Sequence, residues 1–177
     1  MELIDQTSIK VKDVLNQTAL ADFSGQSRVW IYMSKSELNP QLSSEINELA
    51  SQFSSNWLSH GSRVRGFTKL LFNRFLIFSA DAKSVSPSGC SIDASVHFTK
   101  DIEKRFQLDF FDRMQLAWMD SEGKIRVSEL RDISPLIDAG KVSGESLIFD
   151  NTVSSVDELL NSWLKPLHSS WVAKVVK

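Results

Sequence analysis

Apolar positions along the chain alternate between two periods. From Leu42 to Trp57 they recur at steps of four, three, four and four (Leu42, Ile46, Leu49, Phe53, Trp57), the spacing of one face of an α-helix. Asn39 stands where an N-cap belongs and Pro40 at the first helical position, so the pattern predicts a helix over 41–58, closed by His60-Gly61. A second helix is predicted over 91–107, with Ile92, Val96, Phe98, Ile102 and Phe106 in one arc. Its opposite side carries Cys90, Asp93, His97, Asp101 and Lys104. Short β-branched and aromatic runs mark strands: RVWIYM at 28–33, and RVRGFTKLLF with RFLIFSA as a hairpin of 63–71 and 74–80. A further hairpin joins RMQLAWM (113–119) to KIRV (124–127) through Asp120 to Gly123.

The resulting order is strand, helix, strand, strand, helix, strand, with one strand added. It predicts an α+β fold: a mixed or antiparallel sheet with helices on one face, in the ferredoxin-like βαββαβ order, which other α+β topologies share. Three parts of a single domain over 1–177 follow from this reading. Residues 1–26 form an N-terminal helical segment ended by Gly25, 27–130 the α+β core, and 131–177 a C-terminal extension packed on that core. In the extension the expected elements are helical turns over 133–139, an edge strand at 147–149 and a helix over 156–164 stopped by Pro166. The core expected from these periodicities is Trp30, Ile46, Leu49, Phe53, Phe75, Ile77, Ile92, Phe98, Ile102 and Leu116.

Composition narrows the class without choosing a function. A hydrophobic fraction of 42%, with eleven Phe and five Trp, excludes a disordered chain. A net charge of −2 supplies no global field for nucleic acid or anionic lipid. The single cysteine cannot form an intramolecular disulfide, and the N-terminus shows no signal-peptide pattern; together with the lack of a run of about 20 apolar residues these point to a cytoplasmic protein with no membrane span.

Four constellations bear on chemistry. The segment 84–93 runs from a strand into a helix start through small hydroxyl residues and one glycine, the kind of place where free amides bind an anion. Ser86, Ser88, Gly89, Cys90 and Ser91, with Arg113 as a second contact, are therefore the candidate ligand-binding residues for a small anionic ligand; an ordinary N-cap at Ser88 or Ser91 explains the same pattern. It is not a P-loop, since no GxxxxGK[ST] occurs. The candidate catalytic residues are Cys90, Asp109 and Asp112. On one straight helix Cys90 and His97 stand about 10 Å apart along the axis, too far for a thiol–base pair, which leaves His60 or His168 as its base. Asp109 and Asp112 flank a diphenylalanine before Arg113, where an Asp–Arg pair is expected ahead of a metal site, and no zinc set lies close by. Finally, RGFTKLLF partly matches an RNA-recognition strand, and alternation puts Arg63, Arg65, Phe67 and Lys69 on one face, with Arg74 beside them. A binding or interaction protein, with a small anionic ligand or a protein as partner, ranks above an enzyme acting on a phosphorylated substrate and above an RNA-binding module. The residues do not name a cofactor.

The segments at 88–114 (SGCSIDASVHFTKDIEKRFQLDFFDRM), 28–34 (RVWIYMS), 145–155 (ESLIFDNTVSS) and 159–171 (LLNSWLKPLHSSW) resemble a family of small, functionally unassigned proteins of Bacteroidetes-type bacteria that carry the label "ABC transporter ATPase". The family motif falls on Ser88 to Asp93 together with Asp109, Phe111, Asp112 and Arg113. The resemblance implies no activity, and this chain has neither a nucleotide-cradling loop nor an LSGGQ-like signature. The family pattern ends in Ser-Trp-His, whereas here Ser170-Trp171 is followed by Val172, so a terminal histidine is missing.

Overall fold

The computed structural model describes residues 10–59, 61–83 and 89–176, without the side chains of Cys90 and Ser91. The fold is α+β. Helical turns over 10–16 (α1) precede β1 (Arg28–Met33), α2 (Pro40–Asn56), β2 (Leu58–Ser59), β3 (Ser62–Arg63), β4 (Gly66–Leu71), β5 (Phe75–Ala80) and α3 (Gly89–Phe106). There follow β6 (Gln115–Met119), β7 (Ile125–Glu129), α4 (Ile133–Asp138), β8 (Leu147–Phe149), α5 (Val156–Ser162) and β9 (Leu164–Pro166).

The predicted caps form. The Asn39 side chain accepts the Leu42 amide at 2.9 Å with Pro40 at the first position of α2. α2 ends at Asn56, short of the expected Leu58, because Trp57 leaves the helix with extended ψ and buries its ring beneath Gly66. A Cβ at Gly66 would stand 2.4 Å from Trp57 Cε3, so the missing side chain is what admits the indole. At the N-terminus the expected continuous helix is interrupted. Thr18 donates its hydroxyl to the Leu15 carbonyl and accepts the Leu20 amide, stopping α1 and starting a 3-10 turn at Ala19–Asp22.

The first sheet is antiparallel, in the order β1-β5-β4, with Arg28 opposite Ala80 and Gly66 opposite Ala80 from the other side. Its hairpin turns through Phe72 and Asn73, both at positive φ, closed by the Arg74 amide on the Leu71 carbonyl. This is three-quarters of a ferredoxin-like sheet. The fourth strand does not join it: β6 is flanked by β7 and β8 in a second antiparallel sheet, order β7-β6-β8-β9, and has no edge left for β1. β8, expected at an edge, is internal, because the chain leaves α5 at Trp163 and pairs as β9.

Helices lie on both faces of the first sheet, not on one as expected, because the C-terminal region returns α5 beside α1. α2 and α3 pack on one face, on Leu70, Leu76, Phe78 and Ala80. The other face, Val29, Met33, Phe67, Phe75 and Ile77, is covered by α1, α5 and the second sheet through Ala117 and Phe149, with Trp163 in the same cluster. Beyond the second sheet, Leu116, Trp118 and Ile148 pack on Ile133, Val142 and Leu167. Of the expected core, Ile46, Phe75, Ile77, Ile102 and Leu116 are buried; Trp30, Leu49, Phe53, Ile92 and Phe98 are half-buried. The second group has a common cause, since each lines a surface groove: Trp30 and Ile92 one beside β1, the others one between α2 and α3.

One buried carboxylate ties the chain together between elements. Asp81 is fully buried and accepts hydrogen bonds from the Ser24 and Lys83 amides, the Ser27 hydroxyl and, at 2.8 Å, Arg65. Burial pushes its pKa up, but these donors together hold it below the ordinary carboxylate value. A depressed value means stabilisation that is present above the unfolded carboxylate's pKa and disappears as pH falls through the folded one.

Three outcomes are expected. Gly66→Ala, which overpacks against Trp57, lowers stability by about 2 kcal/mol in urea unfolding. Trp163→Ala, which empties the centre of the inter-sheet core, lowers it by roughly 3–5 kcal/mol. Asp81→Asn is destabilised relative to the parent at neutral pH, and the deficit shrinks when unfolding is followed from about pH 6 to about pH 3; a deficit independent of pH would separate the cage from its charge.

Candidate functional site

β1 is an edge strand whose outer side is met by other segments only near its two ends, the Lys35 amide just past the strand donating to the Asp109 carbonyl. The Val29 amide donates to the Ser154 carbonyl, the Val156 amide donates to the Ser27 carbonyl, and Arg28 bridges to Ser155. In an antiparallel strand alternate residues send both backbone groups to the same side, so Ile31 and Met33 direct theirs outward like Val29. Beyond Val29 no described strand meets that side. In its place lies a groove of about 460 Å³, within the size range of small-ligand sites.

The walls of this groove follow from the sheet's alternation. Trp30 and Tyr32 lie on the side of α3, where the Trp30 indole donates to Ser95 Oγ at 2.7 Å and Phe111 packs edge-on to Tyr32 at 5.0 Å between centroids. Val29, Ile31 and Met33 lie on the side of the second sheet with Phe149 and Val153. The rim is formed by 110–116 and by 151–154. Asn151 Oδ1 accepts the Trp163 indole at 3.0 Å and its amide contacts Met33 Sδ, which fixes the second rim to the core. Trp171 closes one end, more than a third exposed.

Two arginines, Arg28 and Arg113, are among the residues that line the groove. Both residues are exposed, and among the described residues neither has a carboxylate within salt-bridge distance. Burial raises the Tyr32 pKa above its ordinary 10.0, with Ser95 and Arg113 acting in the opposite direction. The phenol is therefore neutral at physiological pH. Asp112 also lines the groove, but its two oxygens accept from the Met114 amide and Gln115 Nε2, both at 2.9 Å. Those bonds hold its pKa below the ordinary value, against burial, so it is an ionised turn-former.

The candidate residues taken from sequence divide accordingly. Arg113 and Asp112 come together with Ile92, in the first turns of α3, on one groove. Asp109 is exposed and off the groove, its carbonyl accepting the Lys35 amide. The expected Asp109–Arg113 or Asp112–Arg113 ion pair does not form, because Asp112 is turned into the start of β6. Ser86 and Ser88, the side chains of Cys90 and Ser91, and His60 lie outside the described residues. Gly89 is exposed, and a Cβ there meets nothing within 4 Å. Among the described residues no group of three or more His, Cys, Asp or Glu could hold a metal. Nor is any described helix long and apolar enough to cross a membrane.

The basic aromatic face expected on the hairpin is not assembled. Phe67 is buried between the sheets, Arg65 is turned onto Asp81, and Arg74 is buried, donating to the Ser34 and Lys35 carbonyls. Only Arg63 and Lys69 of that set remain on the surface without a described role, and no aromatic stands between them for a base to stack on.

Comparison with protein-family models, with curated proteins and with solved structures finds no match. The groove's geometry therefore carries the functional reading. Several of its lining residues, Tyr32, Phe110 and Asn151 to Ser154, were not singled out as site residues by the sequence. The nearest signal was the run Asp109 to Arg113, whose charged ends drew attention while its two phenylalanines supply the wall.

Because Tyr32 is the chain's single tyrosine, tyrosinate absorbance reports on this site alone. It is expected to ionise above pH 10, and Arg113→Ala, by removing the neighbouring cation, is expected to move the midpoint further up; an unchanged midpoint would place the guanidinium too far away to act on a ligand there.

Proposed function

We propose that this chain is a binding or interaction module whose ligand site is the groove beside β1 and whose ligand carries an anionic group. The observation that carries the reading is the conjunction of a strand edge that no described strand meets beyond Val29, an aromatic groove of about 460 Å³ along it, and two exposed arginines in its lining that have no described carboxylate within salt-bridge distance. Each component alone is common. Together they offer apolar burial for the body of a ligand and bidentate donors for its charge. The neutral Tyr32 phenol adds a further donor, and the start of α3, through Ile92, brings the end of a helix whose dipole favours a negative group to the same groove.

Catalysis is not needed by this reading, and no described pair of groups supplies an acid and a base. Asp112 is spent on its turn, and Asp109 stands away from the groove.

Benzoate and phenyl phosphate are suitable probes, being an aromatic body with one anionic group. Titration is expected to move the Trp30 indole N–H and the Ile31 amide signals saturably, to raise the Tyr32 midpoint by neutralising Arg113, and to weaken about tenfold in Arg113→Ala. Gly89→Val, tolerated by the fold since the new side chain meets open space, tests whether the start of α3 takes part. The absence of any shift at millimolar probe would overturn the proposal.

A further inference from the structure

The two edges of the first sheet are treated differently. At β4 the Leu70 amide donates to Asn47 Oδ1 at 2.9 Å and Asn47 Nδ2 donates to the Leu70 carbonyl at 3.2 Å. One side chain from α2 thus satisfies both outward groups of Leu70, as a neighbouring strand would, and the adjacent Lys69 is exposed. Both are the usual means by which sheet edges are closed to other chains. At β1 the chain covers only the two ends, with Ser154 and Ser155 at Val29 and Arg28 and with the Asp109 carbonyl on the Lys35 amide; between them Ile31 and Met33 line the groove, no described strand or side-chain clip meets their outer side, and no lysine or proline occurs in the strand.

From this asymmetry we infer that the ligand of the groove is an extended peptide segment carrying acidic side chains, which adds to the sheet as a strand beside β1. The inference rests on the groove being the ligand site, and narrows its ligand to a peptide. A strand pairs at about 4.8 Å from its neighbour and turns successive side chains to opposite faces. Beside β1, one set would face Tyr32 and Phe111, and the other Met33 and Phe149, so both faces of the added strand meet apolar walls. Arg28 and Arg113, without carboxylates of their own, select acidic residues, while the backbone pairing itself is indifferent to sequence. The position is the one the fourth strand of the ferredoxin-like order would hold, had β6 not been taken into the second sheet.

The test uses the full chain and a positional-scanning library of fluorescein-labelled heptapeptides, followed by N-methylation of each amide of the tightest binder. Methylation removes a peptide N–H without altering the protein, so folding of a variant does not enter. Binding is expected to fall at least tenfold when alternate amides are methylated and to change little at the intervening ones, and acidic peptides are expected to lose about tenfold on Arg113→Ala while neutral ones do not. A flat methylation profile, or no peptide binding while benzoate still shifts the Ile31 amide, would overturn the strand-addition inference and leave the groove as a small-molecule site. Failure of both probes would remove the groove reading itself. A stable dimer in sedimentation that excludes peptides would also overturn it, assigning the edge to a second copy.

Discussion

β5 is the element on which the rest of the molecule is built. All six of its residues are buried, it is hydrogen-bonded on both edges, and its two faces feed two different hydrophobic cores. Such a strand has no freedom of register, since a slip by one residue would exchange Phe75 and Ile77 with Leu76 and Phe78 and disturb both cores at once. α2 and α3 are thereby placed on one face and the second sheet on the other. The second sheet completes itself with β8 and β9 from the C-terminal region, and this leaves β1, paired with β5 on one side, without a strand along its outer side. The candidate site is thus a by-product of how the strands are shared between two sheets.

Local structure was largely legible in the sequence, because it rests on short-range rules. The cap at Asn39, the Asp120 to Gly123 turn and the three strands of the first sheet follow from periodicity and turn chemistry. What was not legible depends on long-range competition. The residues of β6 read equally well as the fourth strand of one sheet or the central strand of another, and the choice is made by LIF at 147–149 and by Leu164 to Pro166, about thirty to fifty residues further on. α5 likewise gives way at Trp163 because its indole has a place between the sheets and a bond to Asn151, which helical periodicity does not encode.

The site shows the same division. Charged residues mark themselves in a sequence, and Arg113 and Asp112 were found in that way, but one is a groove cation and the other the anchor of a turn. The hairpin cations are the converse case. Arg65 and Arg74 looked like one basic surface and are fasteners instead: Arg65, itself exposed, pairs with the buried Asp81 carboxylate, and Arg74 is buried on backbone carbonyls. Ser95, which accepts the Trp30 indole, falls in the gap of an apolar arc and was not marked by the pattern, its hydroxyl being satisfied by the Ile92 carbonyl of its own helix.

The clip made by Asn47 on Leu70 also limits what copies of this chain can build. A sheet open at both ends can grow without limit, each molecule docking its left edge on the next one's right, and such head-to-tail stacking leads to fibres. With one end stopped by a side-chain amide, only like ends can meet, and two molecules joined through β1 would form a closed pair with no free end to extend. A single asparagine on the β4 edge thus bears on whether the first sheet can be extended from both of its ends.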